Sequence, residues 1–271
     1  MKRIRLDLYL TQKGLSQTRE KARREILAGW VRVNGETVTN PSRTIAGSEQ
    51  VIVERPGGMY VSRGGQKLAH ALKTFGIDLH GRVAADLGAS TGGFTDCMLK
   101  AGAAGVYAVD VGYGQLDYSL RQDSRVRVMD RTNVRSLNAS DFPDKVDFVT
   151  VDLSFISILK VFDAIKDAFA PVQGVILIKP QFEAGRGEQK KGVVRKKEAH
   201  TRILIAVISS LAESGMRMKG LTHSPVKGPK GNIEFLLYFD CEKQPSSQIS
   251  LSPEQESSII KAVETAHKEL G

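Results

Sequence analysis

Apolar and polar positions along the chain fall into two regimes that change near residue 58. Before it, apolar positions come in short groups. Leu6, Leu8 and Leu10 open a stretch that stops at Gly14. Ser16 then occupies the N-cap position of a helix expected over residues 17–28 and closed by Gly29. On that helix Ala22, Ile26 and Leu27 face a core. Arg19 and Arg23, one turn apart, project from another side with Lys21 and Arg24 nearby. Short β segments follow at Val31–Val33, 37–38 and Val51–Val53, the first two joined by an Asn34-Gly35 turn. Pro56-Gly57-Gly58 interrupts the pattern and marks the expected domain boundary.

After the boundary, short Val/Ile-rich runs alternate with helical stretches. Strands are expected at Val83–Leu87, 106–109, Val126–Met129, Phe148–Val151, 175–178, Met216–His223 and 235–239. Most do not alternate in polarity, as strands covered on both faces do not. Helices are expected at 92–101, 157–169 and 198–214, and another precedes the first strand. This pattern predicts an α/β fold with a doubly wound sheet of six or seven strands. The tail is Ser-rich from Gln244 and helical over Pro253–Leu270. The expected organisation is a small unit over 1–58, a larger one over 59–243 and an extension over 244–271.

Composition narrows the class. With 271 residues, 41% of them hydrophobic, the chain can bury a real core, which excludes disorder and fibrous structure. Cys97 and Cys241 cannot form a disulfide framework, and no Cys/His cluster has zinc spacing, so no metal is expected. The basic N-terminus lacks the apolar run of a signal peptide, and no apolar stretch approaches the ~20 residues that span a bilayer. A soluble, cytoplasmic protein is expected. The net charge is +9, and residues 1–67 hold 13 basic against 6 acidic side chains. That asymmetry points to a polyanion-binding module on a nearly neutral body.

The order of residues in the first segment resembles the RNA-binding domain named after ribosomal protein S-four. The match runs through Arg5-Leu6-Asp7, Gly14-Leu15, Thr18-Arg19, Ala22, Ile26, Gly29, Val31-Arg32-Val33-Asn34-Gly35 and Asn40-Pro41-Ser42. The resemblance implies that Arg5, Arg19, Lys21, Arg23, Arg24 and Arg32 lie on structured RNA. Cations on a rigid helix can track phosphates without reading bases.

The first strand of the larger unit runs into Asp86-Leu87-Gly88-Ala89-Ser90-Thr91-Gly92-Gly93-Phe94. A glycine-rich turn between strand and helix brings backbone N–H groups close to a ligand. The dinucleotide fingerprint fails at Ser90, and a P-loop fails at Phe94, where lysine is needed. The pattern DxGxxxGGF instead resembles the first motif of Rossmann-like S-adenosyl-L-methionine-dependent methyltransferases. Asp110 ends the second strand, 24 residues beyond Asp86, and Asp130 ends the third. The resemblance implies a cofactor held by Asp86, Gly88, Ala89, Ser90, Gly92, Gly93, Phe94, Asp110 and Asp130. Asp110 would take the ribose hydroxyls, Asp130 would face the adenine amino group, and Phe94 would mainly pack.

Methyl transfer to an alcohol requires alignment and removal of a proton. A lysine acting as base needs a pKa lowered from ~10.4 toward ~7–8. Asp152 follows the fourth strand, Lys179 the fifth, and Glu234 opens the last, so fold logic brings these three to one mouth. Lys67 is not placed by spacing.

With SRGGxKL, DLGASTGGFTD, DLSFIS, IKPQFE and GNIEF in one chain, residues 3–242 resemble the hemolysin A, or TlyA-type, ribosomal RNA ribose methyltransferases, whose catalytic domain is FtsJ-like. The family's Lys-Asp-Lys-Glu tetrad falls on Lys67, Asp152, Lys179 and Glu234. Lys179 is implied as base or hydroxyl-orienting residue, Asp152 holds the lysines, and Lys67 and Glu234 shape the site. Ribosomal RNA or a ribosomal subunit is the implied partner, and monomer and homodimer both stay open.

The segment 185–197, with six basic residues and one acid, includes Arg186, Lys190, Lys191 and Arg195. With Lys227 and Lys230 it could clamp RNA over the site. His200, His223 and both cysteines read as packing or surface residues. Base-nitrogen methylation is a weaker reading, because Asp152-Leu153-Ser154-Phe155 lacks the prolines of its usual motif. A non-catalytic RNA-binding factor and a membrane-lysing protein are the alternatives from other classes.

Overall fold

A computed structural model describes residues 3–16, 18–46, 48–54, 60–185, 192–242 and 250–271. The expected boundary at Pro56-Gly57-Gly58, the basic residues Arg186, Lys190 and Lys191, and the start of the Ser-rich tail lie outside the described residues.

The N-terminal unit contains β1 (Ile4–Arg5), α1 (Leu6–Gln12), α2 (Arg19–Leu27), β2 (Val31–Val33), β3 (Glu36–Val38), β4 (Thr44–Ile45) and β5 (Val51–Val53). Leu6 and Leu10 of α1 meet Ala22 and Ile26 of α2 over Val31, Val33, Val38 and Ile45. Leu27, expected in this core, is half-buried and lies outside it, lining a cavity instead. Strand β2 pairs antiparallel with β3 and β5. Asn34 and Gly35 both take positive φ, 51° and 80°, as the two-residue hairpin turn demands. The N-cap of α2 is Thr18 rather than the expected Ser16. Thr18 Oγ1 accepts the Lys21 N–H at 3.1 Å, whereas Ser16 is buried two residues earlier. The ribbon of β1 with β4 was not expected, because two-residue strands carry no periodicity.

The larger unit runs α3 (Gly64–Phe75), β6 (Val83–Leu87), α4 (Gly93–Lys100), β7 (Gly105–Val109), α5 (Tyr118–Gln122), β8 (Val126–Met129), β9 (Phe148–Val151), α6 (Phe162–Phe169), β10 (Val172–Ile178), α7 (Pro180–Glu183), α8 (Lys197–Glu213), β11 (Met216–His223), β12 (Phe235–Cys241) and α9 (Pro253–Leu270). All seven expected strands are present. The helix expected over 157–169 is split: a 3-10 turn at Ile158–Lys160 precedes α6. The short α5 and α7 escaped the pattern.

The sheet order is β11-β12-β10-β9-β6-β7-β8. Alternate side chains serve opposite layers. Ala84, Val106, Phe148 and Val175 pack with Leu68 of α3 and Met98 of α4. Ala85, Tyr107, Val149 and Ile176 pack with Phe162 of α6, Leu204 of α8 and Val263 of α9. Both faces are therefore covered, which explains the non-alternating sequence. Strands β8, β7, β6, β9 and β10 run parallel, but β12 runs antiparallel to both of its neighbours. Its register sets Phe235 opposite Ile178, so the residue before β12 meets the residue after β10. Those two residues are Glu234 and Lys179.

Candidate active site

The carboxyl ends of β6, β7, β9 and β10 open into a cavity of about 420 Å³, within the ~300–1,000 Å³ common for ligand pockets. One wall is the turn after β6. There Gly88 N and Ala89 N donate to Val109 O at 2.9 and 3.0 Å, tying the turn to β7. Gly88 has φ +88°, and a Cβ on it would lie 2.5 Å from Asp152 O, so no side chain fits. Gly88, Ala89, Ser90, Gly93 and Phe94 line the cavity, while Phe94 is almost wholly packed. Gly92 turns the chain into α4 from outside the lining.

The three acids have different positions. Asp110 lines the cavity and orders its rim: Oδ2 accepts Ser90 N at 2.8 Å and Oδ1 accepts Gly112 N at 2.7 Å. Asp86 also borders the cavity but is fully buried. Its Oδ2 accepts the Thr95 N–H and hydroxyl at 2.8 and 2.7 Å, and Oδ1 accepts the Thr150 hydroxyl at 3.0 Å. Burial pushes this carboxyl up to about 7 despite those bonds. Asp86 thus ties β6 to α4 and β9. Asp130 stands outside the lining, held by Arg121 Nη2 at 2.8 Å. Gln115 and Val111, which the sequence did not single out, line the cavity near Asp110.

The four tetrad residues converge as two ion pairs, with Lys67, Lys179 and Glu234 buried and Asp152 half-buried. Lys67 Nζ lies 2.6 Å from Glu234 Oε2, and Lys179 Nζ lies 2.6 Å from Asp152 Oδ1. Lys67 comes from the first turns of α3, so its placement depends on how that helix packs and not on strand order. Lys179 also donates to Ser154 Oγ at 2.9 Å, a partner the sequence reading had not selected. Burial opposes both charges of the Lys179–Asp152 pair, but the opposite charges win. Asp152 is held below the usual carboxylate range by Lys179 and Lys67. Lys179 is held above the usual lysine value by Asp152 and Glu234. This corrects the expectation of a lowered lysine pKa: the two carboxylates more than offset burial.

Phe155 was missed as well. It is 89% exposed, lines the cavity mouth and rests against Phe182 with ring centroids 5.2 Å apart. Its φ of +67° is uncommon for a bulky residue and turns the ring outward. Only its place in DLSFIS could have signalled it.

The N-terminal unit contributes Leu27, Ala28, Gly29, Thr37 and Thr39 to the same cavity. Its cations are unequally available. Arg5 and Arg19 reach Asp7 Oδ2 at 2.8 and 3.3 Å, neutralising a carboxylate with no exposed side-chain surface. Arg32 pairs with Glu54 at 2.7 Å. Arg23 is exposed on α2 and Lys21 and Arg24 are half-buried; in the larger unit Arg195 is exposed but outside the cavity lining. Elsewhere, His200 Nδ1 lies 2.9 Å from His267 Nε2, and His223 pairs with Glu269 at 3.1 Å. Both cysteines are buried thiols. No group of three metal-ligating side chains occurs among the described residues.

A seven-stranded sheet with one antiparallel strand, a glycine turn after its first strand and acids at successive strand ends defines a Rossmann-like methyltransferase. The tetrad and the basic N-terminal unit narrow that class. The chain belongs to the FtsJ-like methyltransferase family, which matches residues 60–241, and an S4 domain matches residues 4–51. Hemolysin A of Brachyspira hyodysenteriae is 44% identical over 239 residues, covering 87% of this chain and 99% of that one. The 16S/23S rRNA (cytidine-2′-O)-methyltransferase TlyA of Mycobacterium tuberculosis is 41% identical over 240 residues, covering 88% of this chain and 90% of that one. The solved structure of a putative hemolysin from Streptococcus thermophilus superposes with a TM-score of 0.75 at 40% identity, covering 99% of this chain and 97% of that one. No helix among the described residues is long and apolar enough to cross a membrane.

Proposed function

We propose that this enzyme methylates the 2′-hydroxyl of a ribosomal RNA nucleotide with S-adenosyl-L-methionine as donor. The observation that carries the reading is the convergence of Lys67, Asp152, Lys179 and Glu234 on the cavity that the glycine turn also lines. The residues present fit the donor. Gly88 lines the cavity with bare backbone held close against Asp152 O, and Asp110 presents a carboxylate suited to a diol. When bound, the donor supplies an electrophilic methyl on a cationic sulfur. Gly88, Ala89, Ser90 and Asp110 would hold it, with Val111 and Gln115 as further contacts.

The chain's own groups handle the acceptor. Lys179 is positioned to bind the ribose oxygen, with Asp152 and Ser154 fixing its ammonium. In the protein alone Lys179 keeps its proton. A donor bound in the cavity would bring a second positive charge, which would oppose that of Lys179. Lys179 therefore moves toward proton release when the cavity is loaded, the direction a base requires. Lys67 and Glu234 neutralise each other and fix the local field. Phe155 offers a flat apolar face on which the acceptor base can stack.

The experiment is a map of ribose methylation across ribosomal RNA, with protein present, absent or replaced by Lys179→Ala. One or more 2′-O-methyl marks should require the intact protein. Lys179→Ala should lower single-turnover transfer by about 10²–10⁴ while keeping donor binding. Marks on base nitrogens alone, or near-normal turnover in the variant, would defeat this reading.

A further inference from the structure

Arg63 stands at the start of α3, one turn before Lys67, and lines the cavity. Its Nη1 donates to Thr37 Oγ1 at 2.6 Å and its Nη2 to Lys227 O at 3.2 Å, and its backbone N–H reaches Ala28 O at 3.4 Å. Both side-chain acceptors are uncharged. A guanidinium carries five N–H donors, so these contacts leave capacity in hand. Among the described residues no carboxylate forms an ion pair with it. Glu234 is engaged by Lys67 and Glu54 by Arg32. Burial pushes the Arg63 pKa down, nearby Arg32 adds to this, and Glu234 and Glu54 only partly oppose it. Arg63 is half-buried on the cavity wall, and its spare donors leave it able to take an anion from outside the chain.

The acceptor supplies one. In RNA the phosphodiester on the 3′ side is bonded to the carbon adjacent to the one bearing the 2′-hydroxyl. A ribose placed for methylation necessarily brings that phosphate to the same cavity. We propose that Arg63 binds the phosphodiester 3′ to the methylated ribose, its guanidinium aimed by Thr37 of the N-terminal unit and the Lys227 carbonyl. The inference rests on the ribose-methylation reading above. Because Thr37 belongs to the N-terminal unit, apposition of the two units and phosphate binding favour each other. Planar, two-pronged donation suits a phosphate better than a lysine would.

The test uses RNA with a single uncharged methylphosphonate at that linkage, compared with the unmodified RNA. Full-length wild type, Arg63→Gln and Arg63→Lys are assayed for single-turnover transfer. RNA affinity is measured in parallel with S-adenosylhomocysteine in place of the donor. The neutral linkage should cost wild type about 10- to 100-fold, the range of a charge-assisted contact. Arg63→Gln should lose a similar factor on unmodified RNA and lose nothing more on the neutral linkage. Arg63→Lys, which keeps the charge, should recover part of the loss and guards against misfolding as the cause. Indifference of wild type to the neutral linkage, or losses that multiply, would overturn the assignment. Wild type that methylates ribose yet ignores the linkage defeats the phosphate contact alone. Charge-dependent, Arg63-dependent binding without ribose methylation supports the contact and defeats the ribose-methylation reading.

Discussion

Replacing Lys67 with methionine keeps most of the apolar stem and removes the charge. Glu234 then remains with no exposed surface, its Oε1 without a hydrogen-bond partner and its Oε2 deprived of the ammonium at 2.6 Å. The Lys67 side chain is 11% exposed, so water screens the original pair weakly. Breaking a buried ion pair by removing one partner costs about 3–5 kcal/mol. At ~2–4 °C per kcal/mol for a domain of this size, Lys67→Met should lower Tm by roughly 6–20 °C. The double variant Lys67→Met/Glu234→Gln removes the orphaned charge and should regain most of that loss. Thermal unfolding followed by circular dichroism reads both, and donor binding measured in parallel checks the cavity. Methyl transfer should stay low in both variants, because the charge pattern is gone. The reasoning fails if Lys67→Met unfolds within 2 °C of wild type, or if the double variant is no more stable than the single one.

Asp86→Asn tests the buried carboxyl that burial pushes up to about 7. Its folded pKa lies above its unfolded value, so its stabilising contribution is complete below the unfolded pKa of ~3.9 and is lost as pH rises through about 7. Wild type should lose up to ~1.4 kcal/mol per pH unit from this group across that window. The asparagine variant should lack this component, and parallel stability–pH curves would count against it. Gly88→Ala should be destabilised by several kcal/mol and fail to bind donor, since its Cβ would sit 2.5 Å from Asp152 O; calorimetric donor binding near the wild-type level would contradict this. RNA affinity should fall steeply as salt rises, and Arg23→Gln, on the exposed face of α2, should flatten the slope by about one counterion. An unchanged slope would remove Arg23 from the RNA surface.

Much of this protein was legible without coordinates, because local rules govern it. Seven strands stand where they were expected, most of them as short apolar runs because a strand covered on both faces is apolar throughout, while the edge strand β11 alternates. The glycine turn and Asp110 were readable because backbone geometry after a strand needs particular residues at particular offsets. The N-cap was displaced by two residues, from Ser16 to Thr18, because several hydroxyls stood within reach of one helix start.

Other features depend on which distant segments meet, and residue spacing carries no such information. Lys67 reaches Glu234 across 167 positions through the packing of α3, and Glu234 reaches Lys179 because β12 reverses direction beside β10. Arg63 finds its hydrogen-bond partners only when Thr37 and Lys227 close on it from two sides. The charge state of Lys179 turned on the same principle. Burial alone would lower its pKa, but two carboxylates from different strands raise it. Composition and periodicity set the elements and the turn, whereas electrostatics inside the cavity arise from three-dimensional neighbours, because Coulomb energy follows distance in space and not along the chain.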